Sequence, residues 1–161
     1  MNTNQFNNEI LKHADKIYRL AKSILCDEHA AQDAVQDLNL KLWEKRDKLD
    51  GIENITGFIL RSTRNLCLDK LRQKHDENVL SDDLEYTESD PYMKLEKKDM
   101  ATRITILINR LPELQRTIMR MRDVEELEFN EIAEITSLTE NAVRVNLSRA
   151  RQKIREQLLA N

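Results

Sequence analysis

Asn141, Arg144, Ser148, Arg149, Arg151 and Lys153 lie in one stretch without glycine or proline, and the apolar residues Val143 and Leu147 among them recur at helical spacing. On a helix that buries Val143 and Leu147, these polar side chains occupy the outer faces. Their chemistry is recognition rather than bond making, because amide, hydroxyl and guanidinium groups read base edges while further cations neutralise phosphates. Asn141, Arg144 and Ser148 sit where the first turns of such a helix would reach bases; Arg149, Arg151 and Lys153 would hold phosphates. Residues 141 to 161 carry five basic side chains against one acidic, Glu156. A solvated C-terminal helix whose cations complement its own dipole would show the same charge.

The elements that must position this helix favour recognition. Glu131-Ile132-Ala133-Glu134-Ile135 is a short helical segment with a small residue at Ala133. A turn at Thr136 to Thr139 follows, and Thr139 is the expected N-cap of the helix from Glu140 to about Leu158. With Ile132, Ile135, Leu138, Val143 and Leu147 turned inward, the pair fits a helix-turn-helix, whose second helix enters a groove. Ser137 stands where such turns often place glycine to reach positive φ.

Two further polar surfaces occur earlier in the chain. Arg61, Arg64, Asn65 and Arg72 line one side of an expected helix from Gly57 to Lys74, capped by Thr56, whose inner face is Ile59, Thr63, Leu66, Cys67 and Leu71. The window 58 to 75 holds five basic residues against Asp69 alone, which suits either a solvated face or a second anion-binding surface. Asp33, Gln36, Asp37 and Lys41 form a mixed strip on a preceding helix. Asp27 caps that helix, and Ala31, Ala34 or Val35, Leu38, Leu42 and Trp43 face inward. Solvated surface and protein docking site both fit this strip; spacing does not choose between them.

Composition narrows the remaining possibilities. Only 2 Gly and 2 Pro among 161 residues, with 34% charged and 4% aromatic, favour an all-α fold of long polar-faced helices. No stretch approaches the roughly 18 uninterrupted apolar residues of a membrane span, and the first residues lack the pattern of a secretion signal. A soluble, cytoplasmic protein is the expectation. Cys26 and Cys67 fall on apolar helix positions and read as small reduced core residues, and His13, His29 and His75 show no zinc-site spacing. Glycine-rich phosphate loops and the common nucleophile motifs are missing too, so the sequence points away from an enzyme, a cofactor or a small-molecule substrate.

The formal net charge of −3 argues against a nucleic-acid partner until it is divided. Residues 76 to 90 contain seven acidic side chains and no Lys or Arg, so the rest of the chain carries +4. That acidic segment reads as a linker. Before it, apolar residues at Ile10, Ala14, Ile17, Ala21 and Ile24 mark one helix from Ile10 to Leu25, and Asp50-Gly51 begins a loop through Asn54. After it, Met100, Ile104, Leu107, Ile108 and Leu111 mark a helix that stops at Pro112, which opens another with Leu114, Ile118 and Met121. The expected architecture is two small helical domains, 1–75 and 100–161, joined by the acidic linker 76–99, the second being the helix-turn-helix domain.

Taken together, Ile17-Tyr18-Arg19-Leu20-Ala21, Ala31-Gln32-Asp33-Ala34-Val35-Gln36-Asp37 running into Leu40-Lys41-Leu42-Trp43, and Arg64-Asn65-Leu66-Cys67-Leu68-Asp69-Lys70-Leu71-Arg72 resemble region 2 of extracytoplasmic-function (ECF) sigma factors of bacterial RNA polymerase. Leu111-Pro112-Glu113-Leu114-Gln115-Arg116, Glu131-Ile132-Ala133-Glu134 and Ala142-Val143-Arg144-Val145-Asn146-Leu147-Ser148-Arg149-Ala150-Arg151 resemble region 4 of the same family. The order is the family's, and the resemblance covers about four fifths of the chain. Asn39 departs from it where relatives tend to have an aromatic residue, Glu126 and Ser137 where they often have glycine.

The resemblance implies a promoter-specificity subunit of RNA polymerase. The helix with Asp33, Gln36, Asp37 and Lys41 would dock on the clamp helices of β′, and region 4 on the β flap. The loop from Asp50 to Thr56, with Arg61, Arg64, Asn65 and Arg72, would engage the minus-10 element and trap a flipped base, without nucleotide hydrolysis. Asn141, Arg144, Ser148 and Arg149, with Arg151 and Lys153 beside them, would take the minus-35 element as duplex, and the acidic linker would thread toward the RNA exit path. It further implies an anti-sigma factor, commonly one that holds the protein at the inner membrane face. The rival reading is a stand-alone dimeric helix-turn-helix regulator bound to an operator, which needs only the second module.

Overall fold

The computed structural model describes residues 1–80 and 97–160, and the described residues are helical with no strand among them. The first module contains α1 (Thr3–Glu9), α2 (Ala14–Leu25), α3 (Glu28–Glu44) and α4 (Ile55–Leu80). The second contains α5 (Met100–Asn109), α6 (Glu113–Met119), a π-helical turn (Arg120–Val124), α7 (Phe129–Thr136) and α8 (Glu140–Ala160).

The expected helix from Ile10 is divided. Asn2 and Gln5 form a reciprocal capping box that starts α1, burying Phe6 edge-on against Trp43 at a centroid distance of 5.1 Å. A single 3₁₀ turn at Leu11–His13 then redirects the chain into α2. Asp27 caps α3 as expected, its carboxylate accepting from the Ala30 N–H at 2.9 Å. The charged run after α3 is a 3₁₀ turn (Arg46–Gly51) that tucks Leu49 into the core, an element its polar composition hides.

Thr56 does not cap α4. Asn54 accepts the Gly57 N–H at 3.0 Å, and a Cβ on Gly57 would lie 2.7 Å from the Asn54 amide nitrogen, so glycine makes room for the cap. The helix then runs to Leu80, past the expected linker start at 76. Residues 81–96 of the expected linker lie outside the described residues. In the second module Asp99 caps α5, and Pro112 occupies the N-cap of α6 rather than its first turn.

Core residues of both modules belong to one apolar cluster, including Ile17 and Ile24 of α2, Ala34 and Leu38 of α3, Ile59 and Cys67 of α4, and Ile118, Met121, Ile132, Val143 and Leu147 of the second module. The modules meet where α2 contacts α6 and the π turn, and where α4 contacts α7. Of the two cysteines expected at apolar helix positions, Cys67 is helical and buried in the core, whereas Cys26 is neither. Cys26 is exposed at the C-cap of α2, in the left-handed region at φ 56°.

Candidate nucleic-acid interface

The helix-turn-helix is built by two local devices. Ser137 ends α7 with φ 59° and ψ 32°, the left-handed conformation for which glycine is the usual residue. Thr139 then caps α8, accepting the Ala142 N–H at 3.1 Å. Val143, Leu147, Ala150 and Ile154 are buried along one side of α8, which leaves Asn141, Arg144, Ser148, Arg149, Arg151 and Lys153 exposed. All six sequence-expected residues are therefore accessible, and Arg144, Ser148 and Arg151 among them border one groove.

They are not equivalent. Arg151 is bound to Asp123 of the π turn by two hydrogen bonds, one of them Nε to Oδ2 at 3.3 Å, and that pairing raises the guanidinium pKa further. Its donors are thus partly consumed. Among the described residues no hydrogen bond or ion pair holds Arg149 or Lys153, which leaves both cations available to phosphate. Arg144 lies over the ring of Phe129, its guanidinium carbon 4.5 Å from the centroid. Beside α8 runs an open groove of about 490 Å³ lined by Phe129, Arg144, Leu147, Ser148, Arg151, Gln152 and Arg155.

The α4 surface differs more from the sequence expectation. Arg64 is only 14% exposed, 3.5 Å from Glu113 at the start of α6. Arg61 lies 3.9 Å from Glu134 of α7, and Asn54 donates to the same carboxylate at 3.2 Å. Two of the four expected minus-10 residues therefore face carboxylates of the other module. Asn65 is exposed, and Arg72 is exposed and paired with Asp69 one turn earlier. The buried Nε of Arg64 finds no acceptor, so Glu113 satisfies this cation incompletely.

On α3, Asp33, Gln36, Asp37 and Lys41 are all exposed, beside Leu40, an apolar side chain left 58% exposed. Asp37 accepts from Lys70 of α4 at 2.7 Å, which ties this strip to the helix behind it.

The sequence reading missed the residues that join the modules. Arg116 is 8% exposed and donates to the carbonyls of Ile24 at 2.6 Å and Asn109 at 3.1 Å. A cation from α6 thereby satisfies one of the C-terminal carbonyls of α2, the end where the helix dipole favours positive charge. Arg120 adds a bond from Nε to Ser23 Oγ at 3.0 Å, and Arg19 lies 3.4 Å from Glu125. The one local signal was Arg116 itself, a cation set among the apolar positions Leu114, Ile118 and Met121.

Comparison with known proteins gives this arrangement its family. Sigma-70 region 2 matches residues 10–77, and sigma-70 region 4 matches residues 102–154. The chain belongs to the sigma-70 family, as a factor of the ECF type. It is 26% identical over 161 residues to the ECF RNA polymerase sigma factor SigW of Bacillus subtilis, covering 91% of this chain and 84% of that one. It is 29% identical to the RNA polymerase sigma factor SigV of the same organism, covering 92% and 88%. A solved structure of the sigma factor RpoE from Bartonella quintana, in complex with the anti-sigma factor NepR, matches with a TM-score of 0.78 at 21% identity, covering 99% of each chain. In this sigma factor one matched region falls in each helical module, and the Arg64–Glu113 and Arg61–Glu134 pairs lie between them.

Proposed function

We propose that this sigma factor directs core RNA polymerase to its promoters by dividing recognition between two helical surfaces. The α8 face takes the minus-35 element as duplex, with Asn141, Arg144 and Ser148 toward base edges and Arg149, Arg151 and Lys153 toward phosphates. The α4 face, with Arg61, Arg64, Asn65, Arg72 and the 50–56 loop, takes the minus-10 element and holds an extruded base, trapping strand opening passively and without catalytic chemistry. Asp33, Gln36, Asp37 and Lys41 on α3 meet the β′ clamp helices, where the neighbouring exposed Leu40 supplies an apolar anchor. The second module meets the β flap.

One observation carries this reading. A single chain presents both a helix-turn-helix with the unengaged cations Arg149 and Lys153 and a basic helix two of whose cations, Arg61 and Arg64, face carboxylates of the other module. A stand-alone operator-binding regulator has no use for that second basic surface or for a docking strip beside it. Because Arg61 and Arg64 face Glu134 and Glu113, engagement of minus-10 DNA requires the second module to leave α4. An anti-sigma factor, as NepR is for the Bartonella quintana protein, would act by holding the modules off DNA. The chain's place is the cytoplasm, with retention at the inner membrane face when its anti-sigma factor is a membrane protein; no described helix is long and apolar enough to cross a membrane.

Run-off transcription with purified core polymerase tests the proposal. Promoter-specific transcripts that depend on the added chain are the expected result. Tight duplex operator binding by the free protein, with no promoter-specific transcript in the presence of core, would overturn it in favour of the regulator.

A further inference from the structure

Phe129 carries two guanidinium groups. The guanidinium carbons of Arg122 and Arg144 lie 4.3 Å and 4.5 Å from the centre of its ring. Arg122 is fixed from behind, donating from Nη1 to the Leu127 carbonyl at 2.8 Å. The ring, at the first residue of α7, is half-buried against the core and borders the open groove beside α8.

The contrast between Arg144 and Arg151, both on this groove, is informative. Arg151 is held by a carboxylate, which consumes part of its donors and offsets its charge. Arg144 is held by an aromatic face, which attracts the cation through the ring quadrupole yet uses none of its N–H groups. Among the described residues no acceptor takes them. A stacked guanidinium keeps its edge free, and that edge is what meets O6 and N7 of a guanine in a bidentate contact. Stacking also restricts a long, exposed side chain before DNA arrives, so less rotamer freedom is lost on binding.

We infer that Phe129 is a positioning residue for minus-35 discrimination, holding the Arg144 guanidinium at the mouth of the α8 groove in a restricted orientation that leaves its donors free. The inference rests on the proposed role of Arg144 in base recognition. Phe129 itself touches no base; its effect passes through Arg144.

The test uses holoenzyme formed with core polymerase and a pair of promoters that differ only in single minus-35 base pairs. Phe129→Leu, which keeps an apolar side chain and removes the ring face, should lower the matched-to-substituted activity ratio by about two- to fivefold, the range of an exposed cation–π contact. Phe129→Tyr should restore it. In an Arg144→Ala background, Phe129→Leu should change the ratio no further. Thermal unfolding of each variant is followed in parallel, and Phe129→Met supplies a second ring-free side chain should Phe129→Leu fail to fold.

The inference is overturned if the ring-free variants lower activity equally on both promoters, or if their effect on the ratio persists undiminished without Arg144. Either result would make the ring a packing element of α7. If Arg144→Ala leaves the ratio unchanged, the assigned role of Arg144 fails and the inference fails with it. If Arg144→Ala lowers the ratio and Phe129→Leu does not, only the inference fails.

Discussion

Removing the two carboxylates that face α4 should shift the balance between closed and open arrangements of the modules toward open. In the variant Glu113→Gln/Glu134→Gln the side chains keep their size. The amide oxygen introduced in place of the Glu113 carboxylate can still accept from Thr117 Oγ1, which bonds Glu113 at 3.0 Å, and the one replacing the Glu134 carboxylate can still accept from Asn54. The substitution thus removes charge with little else. The Arg64–Glu113 pair, at 3.5 Å, is 14% and 23% exposed at its two ends. Its gross attraction at an effective dielectric of 20 is about 5 kcal/mol. Desolvation of both ions cancels most of that, and about 1 kcal/mol is left. The Arg61–Glu134 pair, longer and more exposed, contributes about 0.5 kcal/mol. Together these shift the closed-to-open equilibrium by roughly tenfold toward open.

Single-molecule energy transfer between labels on α3 and α8 reads that equilibrium, and binding of a single-stranded minus-10 oligonucleotide to the free protein reads its consequence. Added salt should shift the wild type in the same direction and shrink the difference. The control is Glu9→Gln/Glu44→Gln, the same charge change at exposed positions away from the interface. An unchanged closed fraction, or a gain in oligonucleotide affinity no larger than the control's, would refute the reasoning.

Further outcomes follow from local geometry. Ser137→Gly should stabilise the second module by about 0.5–1 kcal/mol in thermal or denaturant unfolding, because a non-glycine residue at φ 59° bears a left-handed penalty that exceeds the entropic cost of glycine. Iodoacetamide should alkylate the exposed Cys26 in the native protein and reach Cys67 only on unfolding, because burial pushes the Cys67 thiol up to about 12 and closes access; mass spectrometry of quenched samples separates the two sites. The backbone N–H of Thr102 holds the Asp99 carboxyl below the ordinary range, so the stability from this cap is present above about pH 4 and lost as pH falls through the lowered value. Asp99→Asn, which caps without titrating, should flatten that part of an acid-unfolding curve.

What could be read from the chain alone was whatever local periodicity and capping determine. The apolar spacing in α2, α3 and α8 specified their buried faces, and Asp27 and Thr139 were identifiable as caps because side-chain oxygens three residues before their partner N–H groups are a local signal. The cap of α4 was misassigned between two candidates two residues apart, Asn54 and Thr56, and the choice depends on the absence of a Cβ at Gly57. The outer faces were also legible: all six α8 residues and all four on α3 are exposed. The partners of those faces were not. Arg64 and Glu113, or Arg116 and the Ile24 carbonyl, are separated by most of a module and the linker, and nothing in local spacing encodes a pairing between two helices of different modules.

That missed pairing alters what the charge distribution means. Acidic side chains outside the 76–90 segment also meet the basic surface, because Glu113, Glu125 and Glu134 each face an arginine of the first module, Arg64, Arg19 and Arg61. These exposed or half-buried pairs are individually weak, so they set no strong barrier; they compete with phosphate for the same cations at comparable strength. The stronger tie is elsewhere, in Arg116 and Arg120 bound to the C-terminal turn of α2 and in the continuous apolar core. Opening therefore needs an agent that removes the α2–α6 contact, and a nucleic acid attracted to α4 alone does not touch it. A protein that grips both α3 and the second module can supply that work, whereas a promoter fragment meeting the free chain cannot. The expected consequence is weak minus-10 binding by the free protein that strengthens when Arg116→Met loosens the α2 junction.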